Sequence, residues 1–487
     1  MTEMEPVIGL EIHAQLKTRT KLFCSCPIDP GAEPNTLICE ICSGQPGALP
    51  RMNGKALELA AKAGLALGCR VNARSLFSRK NYFYPDLPNG FQTSQLDPPI
   101  CEGGSLDIQG PDGPRTIRLN RIQLEDDAGK CVHDPRRGRT LVDLNRAGTP
   151  LIEIVTEPDL GSSAEAMEFL RKLHALLVRL EVTEGRMEEG EFRCDVNISL
   201  RPRGETRLGV RGEIKNLNSF RYVGQAIEYE IKRQAGLYTA GRPVLQETLH
   251  FDPDRHETRT LRSKEEAHDY RYFPQPDLPP VMVAPELLEE LRASLPAPAE
   301  ETAARLRGQG LRDEAIALLM DRKGAVEYFD RAAAVYDGPG RIGALMAELL
   351  LPACQRDGVA VQSSALGPGG LARLAELLDQ GVLGRRAAQE LFGELFATGA
   401  DPGELARDRG LLQISDKGAL SELAAEVVAS HPGEVGKYLG GQEKILGFLV
   451  GQVMRRSRGA ADPKGAGEAL VAAMAGLGRQ GGDGDGN

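Results

Sequence analysis

Three short segments in the first half of the chain set carboxylates in or beside apolar runs, where charge is costly. They are Gly9-Leu10-Glu11-Ile12-His13, then Leu124-Glu125-Asp126-Asp127-Ala128-Gly129-Lys130, then Met187-Glu188-Glu189-Gly190 followed by Cys194-Asp195-Val196-Asn197. Alternation through Val7-Ile8-Gly9-Leu10-Glu11-Ile12-His13 puts Glu11 and His13 on one face of a strand, so a carboxylate and an imidazole point together. If the other two clusters converge on that face, their mutual repulsion calls for a divalent cation, and oxygen-rich ligation favours magnesium over softer metals. Such a centre would handle phosphate. Taken singly, each motif reads equally well as solvated loop or edge charge.

The cysteines carry the most specific spacing. Cys24-Ser25-Cys26 and Cys39-Glu40-Ile41-Cys42 form two short-spaced pairs separated by a loop bearing Pro27, Pro30, Gly31 and Pro34. This suits a tetrahedral Cys₄ zinc site, and four thiolates leave no open position for water, so the role is structural. The competing meaning is four unrelated thiols; Cys69, Cys101, Cys131, Cys194 and Cys354 read as small core residues.

Two kinds of stretch suggest an RNA partner. In Ser78-Arg79-Lys80-Asn81-Tyr82-Phe83-Tyr84-Pro85-Asp86, cations sit beside aromatics, which can pair with phosphate and stack on bases or simply pack a core. Arg193 to Arg221 holds seven Arg/Lys against three acids, and Lys437 to Lys464 holds six against two, including Arg455-Arg456-Ser457-Arg458. Phosphate contact and a solvated face both account for such runs.

The elements that must position these groups change character along the chain. Residues from about 5 to 290 show short alternating runs, such as Leu151-Ile152-Glu153-Ile154-Val155, broken by Gly, Pro and Asn. Helical patterning appears at Gly54 to Leu67 and at Ala164 to Leu180, the latter opened by a Ser162 or Ser163 cap with Leu170, Leu173, Leu177 and Leu180 in phase. Near Leu295-Pro296-Ala297-Pro298-Ala299 the composition turns to Ala, Leu, Glu and Arg, with helices expected at Asp313 to Asp321 and Gly369 to Leu378. Gly399-Ala400-Asp401-Pro402-Gly403 punctuates a second helical region, and residues 479–487 are too polar and glycine-rich to order. The expected fold class is α+β multidomain: a mixed-sheet body over 1–295 with its zinc loop, then all-α regions over 296–402 and 403–478.

A length of 487 residues with 41% hydrophobic content supports several real cores. No run approaches a membrane span, and Met1-Thr2-Glu3-Met4-Glu5-Pro6 lacks a basic and apolar leader, so a cytoplasmic location is expected. Nine cysteines without a leader argue against a disulfide framework. A net charge of −10 gives no global attraction to nucleic acid, so RNA binding must be local. The sequence has no Gly-x-x-x-x-Gly-Lys-Ser/Thr loop, Rossmann fingerprint or kinase signature set, so nucleotide use needs another architecture. Nor does it carry a serine-rich amidase or glutaminase-type thiol signature, so it is not expected to free ammonia from an amide by itself.

At this point long motifs match a family. Val7 to Thr18, Arg79 to Asp86, Val142-Asp143-Leu144-Asn145-Arg146-Ala147-Gly148-Thr149-Pro150 through Val155, and Lys215-Asn216-Leu217-Asn218-Ser219-Phe220 closely resemble the B subunit of the glutamyl/aspartyl-tRNA amidotransferase. Phe448 to Met454 resembles that family's terminal tRNA-binding helical domain. The resemblance covers essentially the whole chain and implies a catalytic cradle, a helical connector and a tRNA-binding tail. It implies a glutamine-hydrolysing carbon–nitrogen ligase that works as a heterotrimer with an amidase-type A subunit and a small C subunit. ATP would phosphorylate the side-chain carboxylate of Glu-tRNA(Gln) or Asp-tRNA(Asn), and ammonia delivered through a channel would displace phosphate.

Phosphoryl transfer is mainly positioning and charge neutralisation. Expected around magnesium are therefore Glu11, His13, Glu125, Asp126, Glu189 and Asp195, with Glu11, His13, Glu125 and Asp195 the catalytic set by resemblance. Glu188, Glu189 and Glu213 could equally position a ligand through water. Lys215, Asn216, Asn218 and Glu213 are candidate ATP or acyl-phosphate contacts, and Arg79, Lys80, Tyr82, Tyr84, Arg455, Arg456 and Arg458 are candidate tRNA contacts. Asp126 stands where the family often has Glu, and Asn89 where it often has Lys near the ammonia entry. The rival functions are a non-catalytic zinc-containing RNA-binding protein and a metal-dependent hydrolase that needs neither ATP nor a partner.

Overall fold

The alternation of the first strand, Met4–Gln15, organises the larger part of the molecule: Ile8, Leu10, Ile12 and Ala14 are buried in the apolar core, and Glu11, His13 and Gln15 take the opposite face. This computed structural model describes residues 3–111, 113–263, 270–412, 417–457 and 461–480. The strand sits inside a mixed ten-stranded sheet, flanked antiparallel by Pro150–Thr156 and Phe192–Pro202. Beyond these lie Gly113–Asp126 on one side and Gly212–Leu217 on the other. A small three-stranded sheet carries Ser78–Asn81 between Phe91–Ser94 and Phe273–Pro274.

Helices Gly54–Ala66, Ser163–Arg179 and Phe220–Thr239 contribute Leu59, Ala60, Phe169, Leu173, Leu177, Val223 and Ile227 to the same core as Ile8, Leu10 and Ile12. Their apolar stripes thus occupy the side the sheet leaves hydrophobic, and the other side stays polar. The second of these helices is capped by Ser162, whose Oγ accepts from the Glu165 N–H at 3.2 Å, and Leu170, Leu173, Leu177 and Leu180 are all buried as their spacing predicts.

The chain divides into two compact units, Met1–Pro296 and Ala297–Asn487. The second is all-helical among its described residues and has two separate cores, one from Leu306 to Ala406 and one from Leu420 to Met474. Helices occupy Asp313–Asp321 and Pro368–Asp379. The Gly399–Gly403 punctuation does not end the first of those cores: Asp401 caps helix Pro402–Asp408 and the helix returns Ala406 to it. Helices Lys417–Ser430, Pro432–Leu439, Ile445–Arg456 and Pro463–Gln480 build the last core. Of residues 479–487, expected to lack order, the first two belong to helix Pro463–Gln480 and 481–487 lie outside the described residues. No described helix is long and apolar enough to cross a membrane.

Candidate active site

Strand register assembles the polar sheet face. Glu11 lies opposite Asp195 on one neighbour, while His13 lies opposite Glu153 on the other. Glu153 and Leu151 lie opposite Gln123 and Glu125, and Glu213 lies opposite Asn197. Directly opposed residues of antiparallel strands share a face, so carboxylates far apart in sequence meet there. They form two groups, His13–Glu125–Glu153 and Glu11–Asp195–Glu213, each with one ligand atom per residue within 4.8 Å of the others.

In the first group His13 Nε2 lies 3.3 Å from Glu153 Oε2, while His13 Nδ1 is buried without a hydrogen bond. Glu125 accepts from Gln92 Nε2 at 2.9 Å and from the Ser94 hydroxyl. Burial raises the Glu125 carboxyl above its usual range and the Glu153 charge adds to this, while Lys80 opposes it. Glu153 moves the other way: burial would raise it, but its bond to His13 prevails and holds it at about 2. Burial would lower His13, and the same bond outweighs it. Lys80 is raised despite burial because Glu125 and Glu153 face it.

In the second group Lys215 Nζ bridges Asp195 at 3.0 Å and Glu213 at 2.8 Å. Asn216, in the left-handed region at φ 58°, turns its backbone N–H onto Asp195 Oδ1 at 2.7 Å. Burial raises the Glu11 carboxyl, and the charges of Glu153 and Asp195 raise it further. The two groups therefore hold more negative charge than their lysines relieve. Oxygen donors plus one imidazole around that excess suit a hard divalent cation, which would lower the cost of keeping Glu11 and Glu125 ionised.

Not every expected ligand joins. Asp126 accepts from the Thr93 N–H at 2.7 Å and fastens strand Phe91–Ser94; burial pushes it up to about 8. Neighbouring Asp127 is held at about 2 despite burial, because Arg193 at 2.8 Å and Arg146 at 3.7 Å face it. Glu189 sits in the turn Met187–Glu189, ion-paired with Arg186 at 3.0 Å, away from both groups. Asn218 is also apart: with Glu188 and Phe220 it lines a groove of about 1200 Å³ between helices Ser163–Arg179 and Phe220–Thr239.

Of the expected RNA contacts, Arg79 is committed internally, to Gln275 at 2.9 Å and Asp277 at 3.0 Å, with its guanidinium 4.3 Å from the Phe91 ring centroid. Lys80 points to the carboxylates, Tyr82 Oη lies 3.3 Å from Gln92 Oε1, and Tyr84 is exposed. At the end of helix Ile445–Arg456, exposed Arg456 is tied to Ser430 at 3.0 Å and Glu426 at 3.4 Å; Arg455 is exposed, and Arg458 lies outside the described residues.

Glu153 is the residue that motif reading missed. Its signal was a lone carboxylate in the apolar run Leu151-Ile152-Glu153-Ile154-Val155, where a half-buried strand face has no reason to carry charge unless something pairs with it.

The four cysteines meet as their spacing predicts. Their Sγ atoms lie within 4.8 Å of one another, with Cys26 and Cys42 4.0 Å apart. A zinc tetrahedron with bonds of about 2.3 Å has sulfur–sulfur edges of about 3.8 Å, so the cluster fits the ion. The Cys39 N–H donates to Cys42 Sγ at 3.3 Å. Through its contact with Cys24, helped by Lys21, the Cys42 thiol is held down to about 4, while Cys24 is pushed up.

The polar sheet face thus carries two acidic groups, each faced by a lysine. Comparison with known proteins gives the family. Residues 6–289 match the GatB/GatE catalytic domain and residues 327–474 the GatB domain. The chain is 48% identical over 475 residues to the B subunit of the aspartyl/glutamyl-tRNA(Asn/Gln) amidotransferase of Nitratidesulfovibrio vulgaris (strain DP4), covering 97% of this chain and 100% of that protein. It is 49% identical over 468 residues to the protein of the same name from Anaeromyxobacter sp. (strain Fw109-5), covering 95% and 97%. The chain belongs to the GatB family.

Proposed function

We propose that this chain is the B subunit of an aminoacyl-tRNA amidotransferase and that its polar sheet face activates the side-chain carboxylate of Glu-tRNA(Gln), Asp-tRNA(Asn) or both. The convergence of Glu11, Asp195 and Glu213 beside His13, Glu125 and Glu153 is the observation that carries this reading. The substrate carboxylate attacks the γ-phosphorus of ATP, ADP leaves, and ammonia then displaces phosphate from the acyl phosphate and loses a proton. Both steps gather negative charge that must be neutralised and oriented.

The two groups would hold magnesium: His13, Glu125 and Glu153 in one, Glu11, Asp195 and Glu213 in the other. When bound, magnesium would offset phosphate charge and align the reacting oxygens. Gln92 and Ser94 fix Glu125 by hydrogen bonds, and Glu153 fixes the His13 ring. Lys80 and Lys215 bring positive charge to the same face and suit contact with phosphate or acyl phosphate. We assign ammonia supply to an amidase-type A subunit, with a small C subunit completing the heterotrimer, because this chain carries no amidase signature. The basic helical end, with exposed Arg455, is assigned to the tRNA body, and the four cysteines to structural zinc.

The test is reconstitution with the A and C subunits, ATP, magnesium, glutamine and each misacylated tRNA, reading the amino acid released from the tRNA. Glutamine or asparagine should appear only with ATP and magnesium. Turnover without ATP would favour a hydrolase, and tRNA binding with no ATP turnover a non-catalytic RNA-binding protein.

A further inference from the structure

Lys21 is fully buried, yet no carboxylate among the described residues lies within ion-pair reach of it. Its Nζ has two acceptors: Cys42 Sγ at 3.3 Å and the Leu144 carbonyl at 3.2 Å. The stem runs beside Gly148, at φ +85°, where an added Cβ would stand 3.6 Å from Lys21 Cδ. A buried ammonium without a counter-charge is strongly unfavourable, so the anion it requires is the cysteine cluster. The cluster has the converse need. Four thiolates around one divalent zinc carry two negative charges in excess.

We propose that Lys21 is the built-in counter-cation of the four-cysteine centre, cancelling half of its excess charge and tethering Cys42 to the Leu144 carbonyl. This rests on the reading of Cys24, Cys26, Cys39 and Cys42 as a zinc site. Partners outside a metal's own ligands typically change affinity about 10–100-fold, and a charge in direct contact with a ligand sulfur belongs in that range.

The experiment compares the full chain with Lys21→Met and Lys21→Arg. Zinc per chain is measured after purification under reducing conditions, and zinc release to a chelating dye is followed in time. The absorption bands of the cobalt-loaded proteins report whether four sulfurs still surround the metal tetrahedrally. Lys21→Met should keep the cobalt spectrum and lose zinc about 10–100-fold faster than the native chain, and Lys21→Arg should stay closer to native. Equal release from native and Lys21→Met would overturn the proposal. Should Lys21→Met not fold, Lys21→Arg decides: zinc held at near-native rates assigns the requirement to charge, whereas release about 10–100-fold faster than from the native chain assigns it to shape and overturns the proposal. A native chain that holds no zinc would defeat the reading of the cysteines as a metal centre, and the role of Lys21 with it.

Discussion

In the proposed site Glu153 holds the His13 ring, with His13 Nε2 3.3 Å from Glu153 Oε2. Glu153→Gln keeps the shape but removes the anion that orients the imidazole and faces Lys80. ATP-dependent amidation in the reconstituted complex should fall about 100-fold or more, while glutamine hydrolysis by the amidase partner persists. Parallel loss of both activities in an intact complex would speak against this division of labour. Asp127 has a different role, in stability. Arg193 and Arg146 depress its folded pKa to about 2 against an unfolded value near 3.8. Its contribution is therefore present above pH 4 and lost as pH falls through the folded value, toward about pH 2. Asp127→Asn leaves Arg193 buried without its partner and should cost about 3 kcal/mol at neutral pH, with a correspondingly flatter decline of stability between about pH 4 and pH 2. Urea melts of both proteins at pH 7 and pH 3 check both statements, and an unchanged difference between the two pH values would contradict the second.

At the scale of elements, the cysteine loop is bound to the segment after hairpin Lys130–Asp143. Asn35, at φ 60°, donates from its side chain to the Val142 carbonyl at 2.9 Å and accepts from the Leu144 N–H at 2.8 Å, and Asn145 bonds back to Leu37 and Glu33. An isolated two-stranded ribbon is marginal by itself. The metal-closed loop is therefore expected to hold the base of the ribbon. The purified chain should carry about one zinc, and removing it with a chelator should speed backbone hydrogen exchange in 24–42 and 142–145 together. Faster exchange confined to 24–42 would show that the two segments are not coupled.

On the scale of the whole molecule, the carboxylate face and the basic helical end lie in different compact units. In the proposed function, tRNA would be gripped by the helical end and reacted at the carboxylate face. Ending the chain after residue 412 leaves the core from Leu306 to Ala406 complete and removes Arg455 and Arg456. In the complex this should weaken tRNA binding and flatten its dependence on salt, because fewer counterions are released on association; chemistry should survive at high tRNA. Unchanged affinity and salt slope would reassign the end to assembly or stability.

Local pattern carried much of this. Alternation placed Glu11 with His13, leucine spacing placed helix Ser163–Arg179, and two short cysteine pairs brought four thiols together, because each is decided within a few residues by strand pleat, helix pitch or loop closure. The partition of carboxylates into two groups was not local. Glu153 joins His13 through pairing of strands about 140 residues apart in sequence, and Asp126 turns to the Thr93 N–H of a strand in another sheet, 33 residues away. The sequence groups Glu189 with Asp195 among the expected metal ligands, but a nearby arginine claims it in a surface turn. Which buried charge finds a partner depends on what the rest of the sheet brings within a few ångströms, and only the tertiary structure decided that.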